Sequence, residues 1–264
     1  MPKSGSRLVM ILPDLHVPHH DQAALDCVLQ AYRYLRPQTV VVLGDWLDCE
    51  QFSSHGVQSM AELRAHRFLE DEVEPTSEIL DKLQKYGNDL VYVEGNHEWR
   101  IERWAAKWGG RLGPDFYKLM APRKLLGEGR KKFTWIPYVD NLSHYQVTPA
   151  LKNSTELWAV HGWSHAKRAA AIHLDKAVSV SVVHGHTHRM QVETRREPST
   201  GRILKSWSPG CLSKLQPLYQ ANNPTTWTHG FSLVFIGRSS WTDYTISIHK
   251  GQCVLPNGKE ILAG

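Results

Sequence analysis

Five stretches of this chain share one arrangement, in which a run of apolar residues leads to a tight turn and then to Asp, Asn or His. They lie at residues 9–16, 40–48, 91–98, 157–162 and 180–188. Short apolar runs bounded by turn residues are typical of buried strands. Because parallel strands present their carboxyl ends at one edge of a sheet, the polar residues after them are expected to face one crevice. The arrangement predicts a polar site.

The first half of the chain alternates strands with helices. Asp21 can cap a helix through Leu35, where apolar residues recur at spacings of three and four. A mostly helical stretch at residues 59–86 is expected to be interrupted at Glu74, the residue before Pro75. This order predicts parallel strands joined by right-handed crossovers.

The second half is rich in short strands. They are predicted at residues 133–138, 144–147, 157–160, 178–183, 191–195, 203–207, 231–236 and 244–249, with one helix at residues 166–177. The two halves together predict an α/β fold, a four-layer α/β/β/α sandwich of two mixed β-sheets flanked by helices. No polar or Pro/Gly-rich run is long enough for a linker, so residues 1–264 are expected to form a single domain.

A third helix is predicted from Glu98 to about Trp108, with an apolar and a basic face. The apolar face, which is expected to be core, comprises Ile101, Trp104, Ala105 and Trp108. Phosphate binding and simple solvation explain the basic stripe equally well; it comprises Arg100, Arg103, Lys107 and Arg111. The net charge of +5 is compatible with a phosphate-bearing substrate. Residues 109–132 form a basic insertion that we interpret as a candidate lid or substrate rim.

Cysteine spacing and hydropathy bear on the cellular environment. The four cysteines form no Cys-x-x-Cys pair, which favours reduced thiols over a zinc site or disulfide scaffold. The apolar run at residues 8–12 is too short for a signal peptide, and no later segment is long enough to span a bilayer. A soluble, cytoplasmic protein without membrane contact is therefore expected.

Seven side chains after the predicted strands offer oxygen or imidazole nitrogen and no thiolate. They are Asp14, His16, Asp45, Asn96, His161, His186 and His188. Such a set suits manganese, iron or zinc more than copper(I). Because seven ligands exceed the needs of one tetrahedral site, the sequence predicts two divalent metal ions that share a carboxylate.

The other histidines and most tryptophans are given structural roles. A lone histidine at a strand end is usually a hydrogen-bonded core residue, which fits His144, His173, His184 and His249. Their closeness to motif residues would allow a place in the pocket lining, but loop exposure is the expected account of His19, His20, His55 and His165. Burial explains most of the ten tryptophans, but Trp46 and Trp163 lie inside motif loops and are expected near the pocket.

The polar ends of the five stretches resemble a known set of motifs. Asp14-x-His16, Gly44-Asp45-x-x-Asp48, Gly95-Asn96-His97-Glu98, His161-Gly162 and Gly185-His186-x-His188 are similar, in this order, to the signature blocks of the calcineurin-like metallophosphoesterase superfamily. Residues 208–212 and 226–231 also resemble a subset often carried by bacteriophages.

The resemblance implies a role for each motif residue. The first metal would be held by Asp14, His16, Asp45 and His188, and the second by Asp45, Asn96, His161 and His186. His97 would act on the leaving group as general acid or stabilise the transition-state charge, and Asp48 would orient it. Arg100, Arg103, Trp46 and Trp163 are expected to contact the substrate. Manganese is favoured, while iron, zinc and nickel are compatible.

The implied activity is hydrolysis of phosphodiesters in nucleotides, cyclic nucleotides or nucleic acid by a metal-bridging hydroxide. A phosphomonoesterase acting on nucleotides or phosphoproteins is the alternative, which a pocket narrowed by residues 109–132 would favour. Superfamily protein phosphatases carry Arg after the last Asp of the second block, whereas Cys49 follows Asp48 here. A non-catalytic scaffold is also considered, although it has no chemical need for seven ligands and His97.

Overall fold

The computed structural model describes residues 6–53, 66–139, 143–217 and 224–264. His55 and the first part of the predicted helical stretch, residues 59–65, lie outside the described residues. The helices of the described ranges are α1 (Gln22–Leu35), α2 (Glu74–Leu83), α3 (Trp99–Trp108), α4 (Gly113–Met120), α5 (Pro122–Gly127) and α6 (Ala169–Ala177). None of these is long and apolar enough to cross a bilayer.

Local signals set the helix boundaries. Asp21 caps α1 as predicted, because its Oδ1 accepts a hydrogen bond of 2.9 Å from the Ala24 amide. A π-helical segment, Phe68–Val73, changes to α-helix at Glu74, where the sequence predicts the interruption. Pro75 lies in the first turn of α2, a position that requires no amide donor.

The first sheet is mixed and has six strands. In spatial order these are β11 (Trp241–Ser247), β10 (Gly230–Ile236), β1 (Arg7–Leu12), β2 (Thr39–Val42), β3 (Asp89–Val93) and β4 (Phe133–Ile136). The strands from β1 to β4 are parallel, and β10 and β11 are antiparallel additions. The parallel strands carry the first three motif loops at their carboxyl ends.

The second sheet is also mixed. In spatial order its strands are β5 (Tyr145–Thr148), β6 (Leu157–Val160), β7 (Ser181–His184), β9 (Ile203–Pro209) and β8 (Met190–Arg196). The central strands β6, β7 and β9 are parallel, whereas β5 and β8 are antiparallel to their neighbours. A C-terminal hairpin of β12 (Gln252–Val254) and β13 (Glu260–Leu262) stands apart from both sheets, and the sequence does not predict it.

Three apolar layers hold the elements together. Alternate residues of the central strands point in opposite directions: Met10 packs with the helices that cover the first sheet, whereas Val9 and Ile11 pack against the second sheet. A third layer lies between the second sheet and α6. Three cores separate four layers, so the predicted α/β/β/α sandwich is confirmed.

The four cysteines are free thiols and buried. Cys27 on α1 and Cys253 on β12 are far apart in sequence, but their Sγ atoms lie 3.4 Å apart. This contact joins the C-terminal hairpin to α1 on the outer side of the first sheet, away from the motif loops.

Candidate metal centre

The seven predicted ligands meet between the two sheets. Asp14 and His16 follow β1, Asp45 follows β2, and Asn96 follows β3, while the three remaining histidines follow β6 and β7 of the second sheet. Asn96 and His186 are half-buried, and the other five are buried. The two sheets therefore contribute different chemistry to one place, with carboxylates from the first sheet and imidazoles mainly from the second.

The first group consists of Asp14, His16 and His188, whose ligand atoms all lie within 4.8 Å of one another. His188 Nε2 lies 3.3 Å from Asp14 Oδ1 and 3.2 Å from His16 Nε2. The second nitrogen of His16, Nδ1, donates to Asp48 Oδ1 at 2.8 Å. In neutral His16 the Nε2 lone pair therefore points at His188 and Asp14.

The second group consists of Asp45, His161 and His186, with Asn96 beside it. His161 Nε2 lies 2.9 Å from Asn96 Oδ1, 3.0 Å from His186 Nδ1 and 3.2 Å from Asp45 Oδ2. Asp45 Oδ2 is also 3.9 Å from His16 Nε2 in the first group. The Asp45 carboxylate thus lies between the two groups.

The donor chemistry of both groups fits divalent cations. His161 Nδ1 donates to the Leu43 carbonyl oxygen at 2.7 Å, which leaves Nε2 of the neutral ring as an acceptor among other acceptors. Lone pairs that converge without an intervening proton repel one another unless a positive charge lies between them. An imidazole that donates from its other nitrogen to a carbonyl or carboxylate is also the usual form of a metal-binding histidine.

The carboxylates and imidazoles shift one another's pKa strongly. Burial alone would raise the pKa of Asp45, but His161, His97 and His16 outweigh it and hold the pKa well below the usual range. Burial would likewise lower the pKa of His161, but Asp45 outweighs it and raises the pKa to about 9. Without a metal ion, protonation of His161 therefore relieves the crowding of acceptors.

Four of the seven residues have the left-handed backbone conformation that L-amino acids avoid. The φ angles are 55° at His16, 51° at Asp45, 67° at His186 and 56° at His188. Such residues carry backbone strain and occur mostly where function requires a particular side-chain direction. Their concentration here indicates that the loops are shaped to point these side chains at one another.

Glu98 fixes the loops after β2 and β3. Its buried carboxylate accepts hydrogen bonds from the backbone amides of Asp45, Trp46, Leu47 and Gly95, at 2.8 to 3.0 Å, and from the Tyr92 hydroxyl at 2.6 Å. The same loops touch, because a Cβ at Gly44 would lie 2.5 Å from the Gly95 nitrogen. The sequence gives Glu98 no role, although its place directly after His97 was the available signal.

Asp48 contacts His97 in a different way from the predicted one. The Asp48 carboxylate lies closer to His16, at 2.8 Å, than to His97 Nδ1, at 3.4 Å. His97 Nδ1 instead donates to the Asp48 backbone carbonyl at 2.7 Å. Arg100 donates to the same carbonyl and to His97 Nε2, each at 2.8 Å. The Asp48 main chain and the Arg100 guanidinium thus contact His97 more closely than the Asp48 carboxylate does, and the orienting role of that carboxylate stays a prediction.

A cavity of 530 Å³ opens beside the second group and includes Asn96 and His186 in its lining. Arg100, Arg103 and Trp163 line it, where the sequence places the substrate. The expectation for Trp46 is wrong. Its side chain is fully buried, and its Nε1 donates to the Pro13 carbonyl at 3.0 Å. The loop after β2 turns this ring into the apolar layer beneath the helices, away from the cavity.

The segment 109–132 and the residue His165 also differ in part from expectation. Residues 109–132 contain α4 and α5, and α4 packs behind α3 through Phe116 and Trp104, with ring centroids 5.0 Å apart. Among the described residues that line the cavity, none comes from this segment, so its interpretation as a lid is not supported. His165 is exposed as expected, but its Nε2 lies 3.0 Å from His186 Nε2 on the cavity wall.

Comparisons with solved structures find matches that cover nearly all of both chains at low identity. A single mutant of Vps29 from Entamoeba histolytica is 16% identical, with a TM-score of 0.45, and the match covers 97% of this chain and 99% of that chain. Vacuolar Protein Sorting 29 from Cryptosporidium parvum is 14% identical, with a TM-score of 0.48 and coverage of 98% and 100%. YfcE, a phosphoesterase from E. coli, is 14% identical, with a TM-score of 0.41 and coverage of 97% and 100%.

A search of curated protein sequences finds no match to this chain. The family model for calcineurin-like phosphoesterases matches residues 8–209, from β1 to the end of β9, and so includes every proposed ligand. The chain belongs to the calcineurin-like phosphoesterase family.

Proposed function

We propose that this chain is a phosphodiesterase that depends on two divalent metal ions. The observation that carries the proposal is the pair of acceptor groups that meet at the Asp45 carboxylate. Ions about 3.5 to 4 Å apart are the recurring arrangement for phosphoester cleavage, because they hold the attacking and leaving oxygens of an in-line displacement.

The residues would divide between the ions as the family resemblance implies. Asp14, His16, Asp45 and His188 would hold the first ion, and Asp45, Asn96, His161 and His186 the second. When bound, the ions would polarise a phosphoryl oxygen and bring the pKa of a water molecule near neutrality, so that no serine or cysteine nucleophile is required. Manganese is the metal we expect first, and iron, zinc and nickel suit the same ligands.

His97 and Arg100 would act on the phosphoester itself. The Asp48 carbonyl fixes the His97 ring, and the Arg100 guanidinium lies 2.8 Å from its Nε2 at the cavity wall. Arg100 would offer a positive charge to a phosphoryl oxygen, and His97, once its Nε2 is released from Arg100 and carries a proton, would stabilise the leaving oxygen or protonate it. Substrate would therefore replace the contact between Arg100 and His97 Nε2, while the Asp48 carbonyl keeps the His97 ring in place.

Phosphodiesters of nucleotides, cyclic nucleotides or nucleic acid are the proposed substrates, and phosphomonoesters are the alternative. The monoesterase hypothesis gains weight if residues 109–132 narrow the site. Those residues pack behind α3 and leave the 530 Å³ cavity beside the second group accessible. This supports a substrate that extends on both sides of the phosphate.

A non-catalytic scaffold is the competing class. It would need the fold but neither strained backbone at His186 and His188 nor an arginine held against His97. Both features support an enzyme.

The first test is hydrolysis of bis-p-nitrophenyl phosphate and p-nitrophenyl phosphate by chelated protein that has been reconstituted with Mn²⁺. We expect turnover that requires the metal and prefers the diester. Preference for the monoester would establish the alternative, and two bound ions without turnover of either compound would favour the scaffold.

Substitution of His97 separates metal binding from chemistry. His97→Ala is expected to retain both ions and to lower turnover of the diester about 100-fold, because a positioned proton donor is lost. Metal content and kcat should be measured on the same preparation. Unchanged kcat would remove His97 from the mechanism.

A further inference from the structure

One face of α3 runs along the cavity and carries both basic and aromatic side chains. Arg100, Arg103 and Lys107 all line the cavity, at spacings of three and four residues, which places them on one side of the helix. The rise of an α-helix separates Arg100 from Lys107 by about 10 Å along the axis. The stripe therefore begins at His97 and extends well beyond the metal centre.

The charge of this wall favours an extended anion. Among the described residues that line the cavity, three are Arg or Lys and none is Asp or Glu. The guanidinium carbon of Arg103 lies 5.1 Å from the centre of the Trp99 ring, and Lys107 Nζ lies 4.8 Å from that of Trp108. Positive charge and aromatic surface thus alternate along the same face.

Trp108 presents aromatic surface that the core does not use, and Trp163 is half-buried at the edge of the third apolar layer. The sequence predicts Trp108 in the core, but 66% of it is exposed. Trp163, in the loop after β6, also lines the cavity and stacks on His173, with centroids 5.0 Å apart and an interplanar angle of 16°. His173 in turn stacks on His184, 3.8 Å away, so the Trp163 ring is supported from behind.

We propose that this groove binds single-stranded nucleic acid, with the scissile phosphodiester at the metal centre. This inference rests on the proposed phosphodiesterase function and names its substrate class. Arg103 and Lys107 would contact successive phosphates, and Trp108 and Trp163 would stack on unpaired bases. A mononucleotide would leave the far end of the stripe unused, and the paired bases of a duplex are not available to aromatic faces.

Binding can be measured without catalysis. Fluorescence anisotropy of a labelled 12-nucleotide oligothymidylate should be followed with protein in EDTA, over a series of salt concentrations. Three phosphate contacts predict a slope of about −2 for log K against log[salt]. The same strand annealed to oligoadenylate should bind more weakly.

Two exposed positions test the groove without disturbing the core. Trp108→Ala is expected to weaken binding about 5- to 150-fold, the usual range for loss of one base stack. Lys107→Glu should weaken binding and make the salt slope less negative by at least about 0.7. The matched control is Lys85→Glu, which makes the same charge change at an exposed site after α2, near the amino end of β3. It should bind like the unmodified protein.

The outcomes separate this inference from the proposed function when diester turnover is measured on the same preparations. Equal binding by Lys107→Glu and Lys85→Glu, or tighter binding of the duplex, would overturn the groove. Turnover of bis-p-nitrophenyl phosphate without oligonucleotide binding would reject the groove and leave the phosphodiesterase intact. Oligonucleotide binding without turnover would reject the phosphodiesterase and retain the groove.

Discussion

His161 and His173 are both buried histidines beside the second sheet, but their surroundings shift the pKa in opposite directions. Burial would lower the pKa of His161, yet the facing Asp45 carboxylate raises it to about 9. His173 packs on His184, no carboxylate of the described residues faces it, and burial lowers its pKa to about 4. Burial alone therefore does not identify a functional histidine.

The hydrogen bonds of the two rings explain the difference. His173 Nδ1 donates to the Ala169 carbonyl and Nε2 accepts from the Trp163 amide, each at 2.7 Å, so both nitrogens are satisfied within the fold. His161 uses Nδ1 in the same way, towards Leu43, but its Nε2 faces other acceptors. His173 has a hydrogen-bond partner for each nitrogen within the fold, whereas Nε2 of His161 requires a cation or a proton.

The largest expected effect on turnover comes from removing the His161 imidazole. His161→Ala should empty or weaken the second metal site and lower diester turnover by at least about 1,000-fold. The reason is that the second ion would no longer stabilise the negative charge on the phosphate in the transition state. Metal content by mass spectrometry and kcat test this. The control is His173→Phe, which should retain two ions per chain. Full activity of His161→Ala, or equal metal loss in both variants, would contradict the distinction between the two rings.

A smaller effect is expected at Glu98, whose carboxylate holds the loops of the metal centre but is not one of the proposed metal ligands. Glu98→Gln replaces an acceptor of five hydrogen bonds with a group that has one acceptor oxygen, so buried amides lose their partners. We expect the free energy of unfolding to fall by about 2 to 3 kcal/mol. Urea unfolding of metal-free protein measures it, with the exposed Glu78→Gln as control. A fall in unfolding free energy no larger than that of Glu78→Gln would show that the loops after β2 and β3 do not depend on the Glu98 carboxylate.

The sequence predicts those parts of the molecule that depend on local signals. The alternation of Val9, Met10 and Ile11 predicts two apolar faces, and Asp21 predicts the start of α1, because both are properties of neighbouring residues. Convergence of the seven proposed ligands follows in the same way from polar residues at strand ends.

Features that depend on long-range packing are not predictable in this way. Trp108 has the helical spacing of a core residue, but burial requires an opposing element, and helical periodicity does not supply one. Trp46 lies in a motif loop, where the direction of the turn decides whether a side chain meets the cavity or the core. Motif order identifies Asp48, but only the folded geometry shows that its carbonyl and not its carboxylate is closer to His97.

The smallest expected effect is the contribution of His173 to the pH dependence of the free energy of unfolding. His173 has a pKa of about 4 when folded and an ordinary value near 6.5 when unfolded, so the unfolded chain takes up the proton first as pH falls. Its contribution is complete above pH 6.5 and is lost on acidification towards pH 4, with a loss of about 2 kcal/mol between pH 6.5 and 5. Protonation would oppose the Trp163 amide that donates to Nε2.

Urea unfolding of chelated protein at pH 6.5 and pH 5 should show this loss of unfolding free energy, and His173→Phe should show correspondingly less. Because other histidines titrate in both proteins, the difference between the two isolates His173. An identical pH dependence would mean that this ring accepts a proton when folded, and the contrast with His161 would then rest on the carboxylate alone.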